Sequence, residues 1–167
     1  ELYARLSRAA PSAFGALLSL PDAIVVGTSP ELCLDAEPRA DGRAFGRLVT
    51  EPIKGTRPRG ADAASDRALA LELDADEKER AELAMIIDVE RNDLGRVAAV
   101  GSVRLAEGPV VVTHRTVHHR VALITARSRP GATRHDVLAA MLPSGSVTGA
   151  PKVRAMEIIA SLEPSRR

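Results

Sequence analysis

The sequence predicts an α+β fold, and the order of its segments supports this prediction. Residues 14 to 50 contain β-rich runs separated by Gly, Pro and Asp turns, residues 66 to 94 have helical periodicity, and residues 97 to 126 return to β-branched runs. Strands and helices that follow one another in blocks, rather than alternating, are typical of α+β proteins.

Composition narrows the possible functions. The 167 residues are 45% hydrophobic, enough to bury a core, and the net charge is +1. Basic residues are dispersed and almost no aromatics lie between them, which disfavours nucleic-acid binding and favours a small anionic metabolite. Cys33 is the single cysteine, as expected for a reducing, cytoplasmic protein, and no apolar run approaches the ~18 residues of a membrane span. Since the chain begins without Met, we expect a piece of a larger protein.

The first third of the chain predicts a helix, a hairpin and an exposed carboxylate. We expect a helix over residues 2–9 and hairpin strands over residues 14–20 and 23–27. Pro30 should end the second strand, and Glu31 stands immediately before an apolar run. Partial burial would favour the protonated form of Glu31, as a general acid requires, although a solvated glutamate beside a turn is the simpler interpretation.

Lys54 is the residue that most needs an explanation. A strand is predicted over residues 44–50, after a hairpin turn at Asp41-Gly42, and Pro52 has no amide to donate, so strand pairing should lapse before Ile53. Gly55 then permits a sharp turn or the close approach of a ligand. This setting suits a chemical role, but lysines near strand ends are also common on ordinary surfaces.

The middle of the chain predicts two helices. We expect a loop over residues 61–66, a helix over residues 66–73, and a longer helix from a cap at Asp74 or Asp76 to a stop at Gly95. Asp88 lies in an apolar run and should need a partner, for which Arg91 is the nearest candidate. The cluster of Asp88, Arg91, Asn92 and Asp93 is interpreted as structural, with direct catalysis as the alternative.

Further strands are predicted over residues 97–105, 110–113 and 116–126, with a break at 107–109. His118 and His119 should face opposite sides of the last strand, so only one of them can share a pocket with Lys54 and Glu31. A zinc site is disfavoured, because adjacent histidines on a strand do not chelate one ion. A helix over residues 134–142 should follow, capped by Thr133.

The segment from Pro143 to Lys152 is rich in Gly and Ser and opens a helix predicted over residues 152–162. Free backbone amides there, with Pro151 at the first helical position, would bind a carboxylate or phosphate. An ordinary glycine-rich cap would have a similar composition, and the spacing does not fit the nucleotide P-loop.

These segments together resemble the chorismate-utilising enzyme family. The matching motifs are Ser-Pro-Glu ending at Glu31, Pro-Ile-Lys-Gly-Thr ending at Thr56, Glu82 with the run from Met85 to Val97, the pair His118-His119, and residues 143–159. The resemblance implies two stacked, largely antiparallel β-sheets flanked by helices, of which residues 1–167 would be the central part of one catalytic domain, truncated at both ends. Lysine at position 54 resembles the aminodeoxychorismate synthase branch, which serves 4-aminobenzoate and folate biosynthesis.

The resemblance also implies roles for individual residues. Lys54 would attack chorismate, Glu31 would protonate the departing hydroxyl, and His119 would position the reacting hydroxyl. Glu82 would hold Mg2+, and the substrate-binding loops would contain Thr56, Ser146, Thr148 and Gly149. A glutamine amidotransferase subunit or fused domain would supply ammonia.

Two departures from the family and two alternatives remain. The segment joining Glu31 to Lys54 is longer than the family suggests, and the second magnesium glutamate would lie beyond Arg167, so we expect the 167 residues alone to be inactive. One alternative is anthranilate synthase component I or another chorismate-family enzyme. The other is a noncatalytic module that binds a small anion.

Overall fold

A computed structural model describes residues 1–165 of the chain, and its elements divide into two compact units, residues 1–32 and residues 33 onward. The first unit contains helix α1 (Leu2–Ala9) and the antiparallel strands β1 (Phe14–Ser19) and β2 (Ile24–Ser29). The helix and the hairpin predicted for this segment are therefore confirmed. β2 ends directly before Pro30, which has no amide for a ladder hydrogen bond.

The second unit contains a five-stranded sheet arranged around one long central strand. The strands are β3 (Leu32–Pro38), β4 (Phe45–Glu51), β5 (Ile53–Pro58), β6 (Arg104–Thr113) and β7 (Val117–Arg127). β4 and β5 both pair antiparallel with β7, β4 along residues 124–127 and β5 along residues 117–121, while β6 pairs with the opposite edge of β7. An α+β fold with antiparallel pairing, as predicted, is confirmed.

Pro52 separates β4 from β5, at the position where the sequence predicts an interruption. Its carbonyl still accepts a hydrogen bond from Ala122 N at 3.2 Å, so the two short strands continue along one edge of β7. Beyond the interruption the register shifts between Ile53 and Thr56. Lys54 therefore lies in an irregular stretch of strand, and such irregularities redirect side chains.

Two predictions for the later strands are wrong. Residues 97–103 form turns and one isolated bridge, Ala98 to Ser128, and the strand begins only at Arg104. The break expected at residues 107–109 is a register shift inside the continuous strand β6, because Gly108 at φ 84° lets the strand bulge without ending.

The described residues of this unit, 33–165, form the helices α2 (Ala63–Ala75), α3 (Glu77–Gly95), α4 (Arg134–Met141), α5 (Gly145–Thr148) and α6 (Lys152–Leu162). The expected caps at Asp76 and Thr133 are confirmed. The predicted loop over residues 61–66 is wrong, since Asp62 forms a capping box with Ser65 and starts α2 early. Pro151 is the N-cap of α6 rather than its first residue, and the single turn α5 is unpredicted.

The core forms where α3 and α4 pack on the sheet. Leu48 and Ile124 of the sheet are fully buried, as are Leu83 and Leu94 of α3. The cluster is aliphatic, as the composition predicts, and among the methionines only Met141 is fully buried. Within residues 1–165, no helix is both long enough and apolar enough to cross a membrane.

Candidate functional site

Lys54 meets the glycine-rich segment predicted as an anion loop. Its Nζ donates a hydrogen bond to Ser146 Oγ at 2.9 Å, and both residues are partly buried. Gly55, at φ 92°, lies in the register shift that follows Lys54 within β5, so the sharp turn considered from the sequence is not formed. A Cβ at Gly55 would lie 2.7 Å from Leu73 Cδ1, so the position also requires glycine for space. Two segments singled out separately in the sequence thus form one site.

The loop around Ser146 differs from the predicted cradle of free amides. Ser144 caps the single turn α5 and its Oγ accepts from Ser146 N at 3.2 Å, while Val147 N donates to the Ser144 carbonyl at 3.2 Å. Thr148 Oγ1 donates to the same carbonyl at 3.1 Å. These amides and this hydroxyl stabilise the turn itself, so the prediction that they are free is wrong for Ser146 and Val147. Gly149 follows at φ 142°.

Glu90 is a buried carboxylate beside this loop that sequence reasoning missed. Its residue is only 1% exposed, and it accepts hydrogen bonds from Ser144 Oγ at 3.1 Å and Thr50 Oγ1 at 3.3 Å. Burial raises the pKa of the Glu90 carboxyl. The available signal was its spacing, since Glu90 lies three and four positions after the apolar Ile87 and Ile86 on the buried face of α3.

A second buried link fixes the other end of the loop. Lys152 Nζ lies 2.6 Å from Asp93 Oδ2 and donates to the carbonyls of Ala140 and Pro143 at 3.1 and 3.0 Å. Asp93 is buried and Lys152 is partly buried, and the pair connects α6 to α3. This contact supports a structural role for Asp93.

Asp88 has the predicted partner, Arg91, but it lies in solvent. Its side chain is 79% exposed and lies 3.4 Å from Arg91, itself 52% exposed. The predicted partner is present, but solvent rather than Arg91 satisfies most of the carboxylate. The apolar run misled the prediction because only one face of α3 meets the core, whereas Asp88 lies on another face.

The two adjacent histidines have different environments, as their alternation on β7 predicts. His119 is partly buried, and its Nδ1 lies 3.0 Å from the hydroxyl of Thr56, its cross-strand neighbour on β5. His118 is 1% exposed, with Nδ1 2.9 Å from Thr113 Oγ1 and Nε2 3.0 Å from Asp66 Oδ1. The structure therefore brings Thr56 and His119 together, while His118 is bound into the protein interior.

The Asp66 carboxylate beside His118 is also held by Arg59. Arg59 donates two hydrogen bonds to Asp66, at 2.7 and 2.8 Å, and Gly60 N donates a third at 2.8 Å. The Arg59 guanidinium, followed by the Gly60 amide, holds the pKa of Asp66 well below its usual range. This arrangement joins β5, α2 and β7 and is structural.

Glu31 and Glu82 are the remaining predicted site residues. Glu31 lies between β2 and β3 and is partly buried. Glu82 lies on α3, where its side chain is 42% exposed and 3.5 Å from the Nζ of Lys78 one turn earlier. Among residues 1–165, no three His, Cys, Asp or Glu side chains are grouped to hold a metal ion. The roles of both glutamates stay predictions.

With this geometry established, comparison with known proteins identifies the family. Residues 1–167 match the family described as chorismate binding enzyme. The chain belongs to this family. The resemblance noted from the motifs is confirmed, and those motifs lie within the matched residues.

Characterised relatives of this chorismate-binding enzyme have two different names. The chain is 50% identical to anthranilate synthase component 1 of Thermus thermophilus, over 99% of the chain and 34% of that protein. It is 47% identical to aminodeoxychorismate synthase component 1 of Salmonella typhimurium, over 100% of the chain and 35% of that protein. The crystal structure of anthranilate synthase component I from Streptococcus pneumoniae superposes with a TM-score of 0.81 at 36% identity, covering 99% of the chain and 34% of that structure.

The chain thus spans about a third of the length of these relatives. The fold is shared over almost all of the chain, whereas the two names indicate different products. Membership of the family is shown, and it is compatible with either reaction.

Proposed function

We propose that the protein containing this chain is aminodeoxychorismate synthase component I, which converts chorismate and ammonia to 4-amino-4-deoxychorismate for 4-aminobenzoate and folate biosynthesis. The observation that supports this choice is Lys54, at the position where the resemblance distinguishes this branch, with its amine 2.9 Å from Ser146 Oγ. Because the Lys54 amine is held by Ser146, a residue of a proposed substrate-binding loop, a role as nucleophile is favoured over that of an ordinary surface lysine.

In the proposed reaction the neutral Lys54 amine attacks carbon 2 of chorismate, both double bonds of the ring diene shift, and the carbon 4 hydroxyl leaves. Glu31 gives that hydroxyl a proton, so that it departs as water. Ammonia then adds at carbon 4, both double bonds shift back, and the Lys54 nitrogen is released from carbon 2. The new ammonium group returns a proton to Glu31. Both residues are regenerated, and the carbon 4 hydroxyl has been replaced by an amino group with release of one water.

Ser146 suits this cycle because a hydroxyl can accept a hydrogen bond from an ammonium or donate one to a neutral amine. It can therefore orient Lys54 Nζ in both protonation states. His119, held by Thr56, is proposed to position the substrate hydroxyl, while Thr56, Thr148 and Gly149 are proposed to contact the substrate. A near-attack geometry of this kind contributes much of an enzyme's rate.

Magnesium and the ammonia donor are further parts of the proposal. Glu82 would supply one carboxylate to Mg2+, with the other ligands outside this chain, because Mg2+ requires near-octahedral oxygen coordination. A glutamine amidotransferase subunit or fused domain would supply ammonia. A cytoplasmic location is predicted from the lone Cys33.

Anthranilate synthase component I is the second candidate. It is supported by the 50% identity to the Thermus thermophilus enzyme of that name. The two candidates differ in the position of the new amine and in whether pyruvate is released. Product identity therefore separates them directly.

The decisive experiment uses the full-length protein with chorismate, ammonium and Mg2+, and mass spectrometry of the products. We expect 4-amino-4-deoxychorismate without anthranilate, and we expect Lys54→Ala to lose at least about 100-fold in rate or to change product, since it removes the nucleophile. Arg8→Ala is the control, because Arg8 is exposed on α1 and is not among the proposed site residues, so its loss should leave rate and product unchanged.

Anthranilate as the main product would favour the second candidate. Unchanged turnover by Lys54→Ala would remove the lysine adduct from the mechanism. Absence of turnover under all conditions, with retained chorismate binding, would favour the noncatalytic anion-binding module.

A further inference from the structure

A chain of hydrogen bonds connects Glu90 to the amine of Lys54. Ser144 Oγ donates to Glu90 Oε1 at 3.1 Å and accepts from Ser146 N at 3.2 Å. Ser146 Oγ in turn accepts from Lys54 Nζ at 2.9 Å. Because the single hydroxyl proton of Ser144 is committed to Glu90, its lone pairs face the Ser146 amide, and the two bonds reinforce each other.

The same carboxylate contacts the strand leading to Lys54. Thr50 Oγ1, near the end of β4, donates to Glu90 Oε2 at 3.3 Å. Thr50 precedes Lys54 by four residues, and Pro52 between them leaves the backbone with fewer ladder hydrogen bonds. One carboxylate oxygen of Glu90 thus accepts a hydrogen bond from strand β4, and the other accepts one from the loop at Ser144. Glu90 therefore links both segments to α3.

Packing around Gly145 shows how closely the loop approaches α3. Gly145 is buried, and a Cβ at this position would lie 2.3 Å from Val89 Cγ1, the residue before Glu90. The loop therefore has little room to move toward the helix. Its position is limited by Val89 through contact and by Glu90 through a hydrogen bond.

Because Glu90 is buried, its carboxylate depends on hydrogen-bond partners within the protein. Glu90 is 1% exposed, and the nearby Lys152 is engaged by Asp93 at 2.6 Å and by two carbonyls. Buried polar groups without partners are unfavourable, so the Glu90 carboxylate requires the hydroxyls of Thr50 and Ser144. A leucine would fill the core position at lower desolvation cost, so the carboxylate is not required for packing.

We infer that Glu90 is a positioning residue, which holds the turn from Ser144 to Thr148 so that the Ser146 hydroxyl meets the Lys54 amine. This inference deepens the proposed function and rests on it. Glu90 does not touch the reacting atoms, and its effect on the reaction passes through Ser144 and Ser146.

The test compares Glu90→Leu with Glu90→Gln in the full-length protein. Glu90→Leu removes both hydrogen bonds, so we expect kcat to fall about 10-fold with a smaller change in KM, because a misplaced catalytic group impairs the reaction more than substrate binding. Gln keeps the shape and can bond both hydroxyls, so Glu90→Gln should restore kcat to within about 3-fold of the wild type. Val137→Ala, in the core on α4, controls for loss of stability and should leave kcat unchanged.

A double-mutant cycle with Ser146→Ala separates positioning from general structure. If Glu90 acts through Ser146, Glu90→Leu should reduce kcat less than about 2-fold in the Ser146→Ala background. Additive effects of the two changes would overturn the inference, as would an unchanged kcat for Glu90→Leu in an active enzyme.

A measurement independent of activity distinguishes failure of this inference from failure of the proposed function. Hydrogen–deuterium exchange of residues 144–149 should be faster in Glu90→Leu than in Val137→Ala or the wild type. Equal exchange in all three proteins would overturn the inference whatever reaction the enzyme performs. If exchange is faster but chorismate is not consumed by the wild type, the positioning contact stands and the proposed function fails.

Discussion

Two buried carboxylates on α3 are compensated in different ways. Asp93 has a cation, the Nζ of Lys152 at 2.6 Å, whereas Glu90 has the hydroxyls of Ser144 and Thr50. Hydroxyls stabilise a buried negative charge less than an ammonium does. The negative charge of Asp93 also repels the charge of the Glu90 carboxylate. The pKa of Glu90 is therefore raised, with burial as the largest cause.

This raised pKa makes a prediction about stability and pH. A carboxyl whose folded pKa exceeds its unfolded pKa of about 4.3 stabilises the fold fully below that value and loses the contribution as pH rises through the folded pKa. Glu90→Gln lacks this titration. We expect the unfolding free energy of the variant, minus that of the wild type, to increase between about pH 4 and about pH 7 in urea titrations.

The matched control for this pH dependence is Glu107→Gln, at an exposed position on β6. A pH dependence like that of Glu90→Gln in this control would show that loss of any carboxylate produces the effect. Parallel curves for Glu90→Gln and the wild type would mean that the Glu90 carboxyl titrates alike in the folded and unfolded protein, contrary to the cause assigned here.

At the scale of elements, glycine determines whether β6 can bend. Gly108 has φ 84°, and a Cβ there would lie 2.7 Å from the carbonyl oxygen of Val121 on β7. Gly101 has a similar φ of 72°, but a Cβ at that position would have open space around it, with no neighbouring atom within 4 Å. Both glycines thus have a positive φ, but only at Gly108 would a Cβ also meet a neighbouring backbone atom.

These two glycines allow a matched comparison of stability. Gly101→Ala should cost about 1 kcal/mol, from the left-handed conformation alone. Gly108→Ala should cost about 3 kcal/mol, because a backbone oxygen in the central strand pairing must also move. Urea unfolding of both variants measures the difference, and equal losses would show that β6 relaxes around the new methyl group.

At the scale of the whole molecule, the two compact units differ in burial. No residue of α1, β1 or β2 is buried, and apolar side chains of the hairpin such as Leu17, Leu18 and Ile24 are 51, 54 and 68% exposed. The second unit has the aliphatic core described above. Local stability follows buried contacts, so it should differ between the units.

Hydrogen–deuterium exchange on the 167-residue chain tests this difference. Amides of residues 14–29 should exchange at least about 100-fold faster than those of β7, whose side chains are mostly buried. β4 is the control, since it has a similar length to β1 but pairs within the core. Equal protection of the hairpin and β7 would show that the whole chain unfolds as one unit.

Sequence reasoning predicted the elements that depend on local chemistry. Pro30 and Pro52 end strands because proline lacks an amide, and Asp76 and Thr133 cap helices because their oxygens accept early amides. The alternation of His118 and His119 followed from the geometry of a strand. The meeting of Lys54 with the loop at Ser146 was implied by the family resemblance rather than by either segment alone.

The errors have tertiary causes. The apolar run around Asp88 shows that hydrophobicity in the sequence does not specify which helix face the sheet covers, and Glu90 lies on the face that it does cover. The free amides expected at Ser146 and Val147 are used by α5, a turn that depends on the Ser144 contact with Glu90. Ser144 and Glu90 are separated by 54 positions, and a contact over such a separation leaves no periodic pattern in the sequence.

The turn between β3 and β4 offers an attachment point for probes. Residues 37–43 are exposed, and the turn closes its own backbone through Arg39 N to the Ala44 carbonyl and Gly42 N to the Arg39 carbonyl. A segment that satisfies its amides locally can be lengthened or labelled with little effect on the sheet. A fluorophore can therefore be attached at Ala40 while the strands on either side stay intact.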